Sequence, residues 1–306
     1  MQLMNEPQGP DGSSTPEEPR AIKPRVWTML ASFALLVAGV LLAQVLLFVA
    51  FIIHHERLGD TSAPAELMSR AMRSPLVVLG AMAFNVLLQL LFAFLFARPR
   101  PWRDRLLLSP PARFGGYALL LSLAAVGVAE VNALIIHSLG RDALSNQVHE
   151  VVLGLAKQSG GPLAFVWLLA VFLGPFGEEL FFRGLLQPRF VARWGTGAGV
   201  FATALLFALI HMNLSQSFNA FGLGLVLGWG ALRCRSIWPG AVAHAAVNAL
   251  AFTNLRFQSP PPPTNFGEVA STLGLAFGLL ALAAAMELRW RRQEVLRPLE
   301  SPTTFG

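Results

Sequence analysis

Charge is scarce in this chain. Only 13% of its 306 residues are Asp, Glu, Lys or Arg, about half the ~25% usual in a soluble domain. Cysteine occurs once, at 234. That excludes an intramolecular disulfide and any cysteine-based metal cluster. Cys234 itself reads as a small packing residue at a helix end, with S-acylation as the other reading. No His-Glu-x-x-His is present, which removes the zincin signature. No Gly-x-Ser-x-Gly is present, which removes the nucleophile elbow of serine hydrolases. Lysine occurs only at 23 and 157, so the net charge of +6 is almost wholly arginine. The arginines lie at the ends of apolar runs and form no basic patch with interleaved aromatics, so nucleic acid is not an expected partner.

Apolar sequence is abundant. The apolar fraction is 54% and the mean hydropathy is +0.56. Those values describe a polytopic membrane protein, an all-α bundle with lipid as its first partner. Residues 1–25 are polar and rich in Pro, Glu and Ser, the composition of a disordered tail. The next run, 26–53, is too long for the ~7–15-residue core of a signal peptide and suits a tilted spanning helix. Further spans are expected at about 75–97, 114–138, 162–190, 197–213, 217–232, 237–253 and 269–288, which makes eight. The bundle is therefore 26–288, followed by a basic tail at 289–306. Arginines cluster before span one, between two and three, after four, after six and after eight. Positive charge marks the cytosolic side, so both termini should be cytosolic, in a bacterial plasma membrane. The run of four prolines at 260–263 would then stiffen an external loop.

Ionisable side chains inside spans carry the chemistry, because each costs several kcal/mol in lipid unless it is paired, neutralised or hydrated. Glu130, Glu178 and Glu179 are the only acids well inside spans. His211 and His244 are the only deep histidines. Glu179 and Arg183 are four apart, so they share a helix face and can pair. Glu178 is turned ~100° away and is free for another partner. His244 and Asn248 repeat the four-residue spacing, as do Phe207 and His211. Brought together, Glu178, His211, His244 and Asn248 could hold and activate a water, with the carboxylate as base, or ligate a divalent metal such as Zn2+. By residue count, Glu178 and His211 lie at similar depth, while His244 counts roughly 10 Å shallower. Each feature also has a structural reading. The Glu–Glu–Arg group can be a buried ion network, and each histidine can be an interhelical hydrogen bonder. Glu130 reads as a structural or hydrated carboxylate, with no partner in its local sequence.

At these residues the chain resembles the CPBP family of intramembrane proteases, also called ABI or type II CAAX prenyl endopeptidases. The family pattern Glu-Glu-x-x-x-Arg, Phe-x-x-x-His, His-x-x-x-Asn is matched by Glu178-Glu179-Leu-Phe-Phe-Arg183, Phe207-Ala-Leu-Ile-His211 and His244-Ala-Ala-Val-Asn248. Each motif is weak alone. Three in order, on separate spans, are specific, and the resemblance covers about 162–252. It implies an eight-helix bundle with a catalytic cavity open to the cytosol. It also implies hydrolysis of a peptide bond in a membrane-bound or prenylated protein. Glu178 would be the water-activating base, and Glu179 with Arg183 would orient the site. His211, His244 and Asn248 would bind water, oxyanion or metal. Two other classes remain open at this stage: a non-catalytic scaffold or immunity-type factor of the same family, and a proton-coupled transporter using Glu130, Glu178 and Glu179 as a relay.

Overall fold

The computed structural model of the chain describes residues 26–97, 101–138, 146–257 and 265–296. The tail at 1–25, Arg98, Arg100, the prolines at 260–263, the side chain of His149 and the final ten residues lie outside the described residues. Within them the chain is helical, with no strand. We number the helices α1 (Val26–Arg57), α2 (Pro64–Arg73), α3 (Pro75–Phe96), α4 (Trp102–Arg105), α5 (Phe114–Ser138) and α6 (Asn146–Ala156). Then follow α7 (Gly160–Trp194), α8 (Thr196–Leu209), α9 (Leu214–Cys234), α10 (Trp238–Arg256) and α11 (Phe266–Leu296).

A helix stands at each of the eight expected places, but not all eight have the character of a simple crossing. Five are long and apolar enough to cross a bilayer: α1, α3, α5, α7 and α11. The count of eight is therefore not confirmed. The reason is compositional. Helix α8 has 14 residues, or ~21 Å against a hydrocarbon core of ~30 Å. Helices α9 and α10 are long enough but polar, carrying Gln216, Asn219, His244, Asn248 and Asn254. Two helices also occupy stretches expected to be loops. Helix α2 begins on Pro64, where the missing N–H costs nothing, and alternates apolar and charged faces. Helix α6 packs beside α10.

The packing follows from that division. Helix α5 is flanked by α9, α10 and α11, and α1 by α3, while α7 runs between α3 and the α8–α10 group. One core cluster joins α1, α3 and the middle of α7 through Leu36, Ala93, Phe181, Phe182 and Leu185. Another joins α5, α9, α10 and α11 through Leu121, Leu227, Ala243 and Ala283. Large side chains such as Leu42, Leu46, Leu91, Phe277 and Leu282 face outward. In water such a band would be a liability. Around an integral membrane protein it is the surface that lipid covers.

Helix α7 is the element that positions the site, and it is not a uniform α-helix. Wide π-helical turns run over Trp167–Leu173 and Glu179–Leu186. Such turns concentrate at functional places because they displace side chains and free backbone groups. Here Gly174 N–H bonds Leu169 O, five residues back. In that register Ala170 O would accept from residue 175, which is proline and has no N–H. The orphaned carbonyl is met from another helix: Asn248 Nδ2 donates to Ala170 O at 2.9 Å.

Candidate active site

The adjacent carboxylates of α7 have unequal surroundings. Glu179 and Arg183 are fully buried, with Arg183 Nη1 2.9 Å from Glu179 Oε1. The Nη1 hydrogens are not aimed at the carboxylate, so the contact is ionic rather than a directed hydrogen bond. The guanidinium also reaches Gly224 O on α9 at 3.4 Å and lies over the Phe207 ring, 4.4 Å from its centroid. An isolated charge at this depth would be untenable; the pair is viable because each ion neutralises the other. Glu178 retains 18% side-chain exposure and borders a cavity of ≈ 370 Å³.

His244 joins the two glutamates. Its Nδ1 is 3.3 Å from Glu179 Oε1 and its Nε2 is 3.6 Å from Glu178 Oε2. The expected division, with each carboxylate serving a different partner, is thus only partly met: Arg183 belongs to Glu179, but His244 stands between both. The depth mismatch counted from the sequence disappears for a local reason. The first turn of α10 starts already inside the bundle, where Gly240 lies against the Glu179 carboxylate; a Cβ there would sit 3.2 Å from Oε2. That turn is anchored by Ile237 N–H to Leu107 O at 3.0 Å and by Trp238 Nε1 to Leu108 O at 2.7 Å.

His211 follows the end of α8, and its Nδ1 is 2.8 Å from Phe207 O. Nδ1 must donate to a carbonyl or carboxylate, so both histidines are held with Nδ1 occupied, and Nε2 of His244 is turned to Glu178. Phe207 is the hub that sequence reasoning treated only as spacing. Its ring packs edge-on to His211 (5.1 Å) and His244 (5.7 Å) besides carrying Arg183. The signal was available, since an aromatic four residues before a histidine in a helix shares its face.

Two cavities, each of ≈ 370 Å³, meet at this cluster. Glu178, His211 and Asn248 line one; His211, His244, Asn248 and Glu130 line the other. The structure therefore brings Glu178, His211, His244 and Asn248 around one space, with Glu179 and Arg183 behind it. It also adds Glu130 of α5 at the edge, a residue whose own sequence offered no partner. An imidazole Nε2 has the right chemistry for a metal, although that of His244 already faces Glu178 Oε2 at 3.6 Å. The spacing of the cluster does not gather a ligand set: among the described residues no three His, Cys, Asp or Glu come close enough to hold an ion. Cys234 is remote from the cluster and hydrogen-bonds Gly230 O at 2.9 Å.

No curated protein and no solved structure is similar to the chain. Residues 160–250, the stretch that holds α7 to α9, most of α10 and every side chain of the cluster except Glu130, match the family model described as Type II CAAX prenyl endopeptidase Rce1-like.

Proposed function

We propose that the chain is an intramembrane endopeptidase that hydrolyses a peptide bond of a membrane-associated protein, with a lipidated CAAX-type C-terminus as the substrate class. The observation that carries the reading is the convergence of Glu178, His244, His211 and Asn248 on one space, with His244 held between two carboxylates. The family match at residues 160–250 supports it independently.

Glu178 is the base. It takes a proton from a water in the cavity as the water oxygen bonds to the peptide carbonyl carbon. The oxyanion that forms is met by the second Nδ2 hydrogen of Asn248, whose first is committed to Ala170 O. His211, whose Nδ1 donates to Phe207 O, lines the same space, and its Nε2 lone pair orients the attacking water by accepting a hydrogen bond from it. Glu178 then passes its proton to the amide nitrogen as the C–N bond breaks, giving a carboxylic acid and an amine. Glu179 and Arg183 fix His244 and take no part in proton transfer. No step here passes through a metal.

The test is cleavage of a peptide panel, prenylated and unprenylated, by detergent-purified protein. Glu178→Gln keeps size and hydrogen bonding but removes the base, so turnover should fall by ~10²-fold or more. Equal turnover in the variant sinks the proposal. The same assay with phenanthroline addresses the metal. Retained turnover leaves Glu178 as the sole activator of water, and lost turnover inserts an ion among Glu178, His211, His244 and Asn248.

A further inference from the structure

Helix α3 carries two side-chain amides into the cavity beside Glu178, outside the matched segment 160–250. Gln89 is 1% exposed, and neither its Nε2 nor its Oε1 meets a hydrogen-bonding group of the protein. Asn85 lines the same cavity, and its Oδ1 is buried and likewise without a protein partner. Leaving a buried amide unmatched costs about 1–3 kcal/mol per group. An apolar side chain of the same length would avoid that cost, so the amides are retained for something that enters. Their placement against α7 is specific. Gln89 lies on Gly177, the residue before Glu178, so closely that a Cβ at 177 would stand 2.6 Å from Gln89 Oε1.

Resting on the endopeptidase reading, we infer that Asn85 and Gln89 form the subsite that holds the substrate main chain in extended form and delivers it to Glu178. A primary amide has a donor and an acceptor side by side, which is complementary to a peptide unit: Nε2–H to its C=O and its N–H to Oε1. The spacing suits the ligand as well. Asn85 and Gln89 are one helical turn apart, ~6 Å along the axis. Alternate residues of an extended chain are ~6.7 Å apart and face the same way. The amides therefore meet every second peptide unit of a strand laid along α3. Recognition is of backbone, not of side chains, so it is tolerant of sequence. The strand continues past Asn85 into a second, mostly apolar cavity of ≈ 340 Å³ between α1, α2 and α3, which shares Val78, Met82 and Asn85 with the first.

Gln89→Met tests this, because methionine has nearly the shape of glutamine and no amide. The full-length protein in lipid nanodiscs is assayed with the peptides used above, both for steady-state cleavage and for direct binding by fluorescence anisotropy. The expected result is a rise of about tenfold in KM and in Kd, the size of one to two lost hydrogen bonds. The value of kcat should stay within about twofold, and the melting temperature should not fall. In a substrate whose contacted peptide N–H is replaced by an ester oxygen, wild type should lose affinity and Gln89→Met should lose little more. Unchanged Kd and KM overturn the subsite, as does a loss confined to kcat, or weakened binding accompanied by a lower melting temperature that Gln89→Glu and Gln89→Leu share. If wild type cleaves nothing but binds peptide in a Gln89-dependent way, the subsite stands and the endopeptidase reading falls. If wild type binds none of the peptides, the subsite falls.

Discussion

At the scale of single residues, the buried charges divide into one pair that holds structure and one carboxylate that is left available. Glu179 and Arg183 are both fully buried and 2.9 Å apart. Truncating one partner leaves the other charge stranded, at a cost of about 3–5 kcal/mol. Arg183→Met should therefore lower the melting temperature of the detergent-solubilised protein sharply. Glu179→Gln in the same chain should recover most of the loss, because no ion is then left alone. A single variant as stable as wild type would mean that Glu179 is already neutral. This pairing was legible in the sequence, since residues four apart in a helix share a face whatever the tertiary structure. The partner of Glu178 was not. That His244 sits between both glutamates depends on where α10 begins, and the sequence has no marker for a first turn that starts inside the bundle. Phe207 was half-legible: its spacing to His211 was plain, whereas its contacts with Arg183 and His244 come from three different helices.

At the scale of elements, α7 shows how one proline shapes a site through a side chain 73 residues away in sequence. Pro175 cannot donate to Ala170 O, and the freed carbonyl is what Asn248 Nδ2 binds at 2.9 Å. Pro175→Ala supplies an N–H that competes for that carbonyl. The backbone gains a hydrogen bond and loses a residue that disfavours helix by ~3 kcal/mol relative to alanine. Thermal stability should hold or rise. Asn248, released from its anchor, should position the oxyanion less well, and kcat should fall about fivefold, as for one hydrogen bond of ~1 kcal/mol. Falling stability with unchanged kcat would show that the wide turns merely accommodate packing. Sequence periodicity located α7 but could not show its π-helical turns, because they alter the pitch by one residue inside an unbroken apolar run. The same limit hid α2 and α6, which are short and lie between spans.

At the scale of the whole molecule, arginine placement and helix character together constrain the topology. Among the described residues five helices have the length and apolarity of crossings, and an odd number would leave the termini on opposite sides. Yet Arg20 and Arg25 precede α1, and Arg289, Arg291, Arg292 and Arg297 lie at the end of the chain. By the positive-inside rule both clusters would lie on the cytosolic side. The two observations agree only if α8, α9 and α10 together add an odd number of crossings. They can do so despite their polarity because they are two-sided, with apolar side chains such as Phe201, Leu205, Phe218 and Val242 turned outward. Helices α5 and α7 pack against them, and their polar side chains line the cavities rather than the outer surface. Polar backbone and side chains are tolerated at membrane depth where they line a cavity, which is why the helices with the chemistry are those that hydropathy alone undervalues. The single native cysteine makes the test direct. In a Cys234→Ser background, one cysteine placed at residue 2 and, separately, one at residue 304 should both resist an impermeant thiol reagent applied to intact cells and both react after lysis. Labelling of one terminus in intact cells would mean an odd total, with α8 to α10 re-entering from the side they left. In that case the cavity at Glu178 would open toward a different compartment from the one in which a prenylated protein is presented.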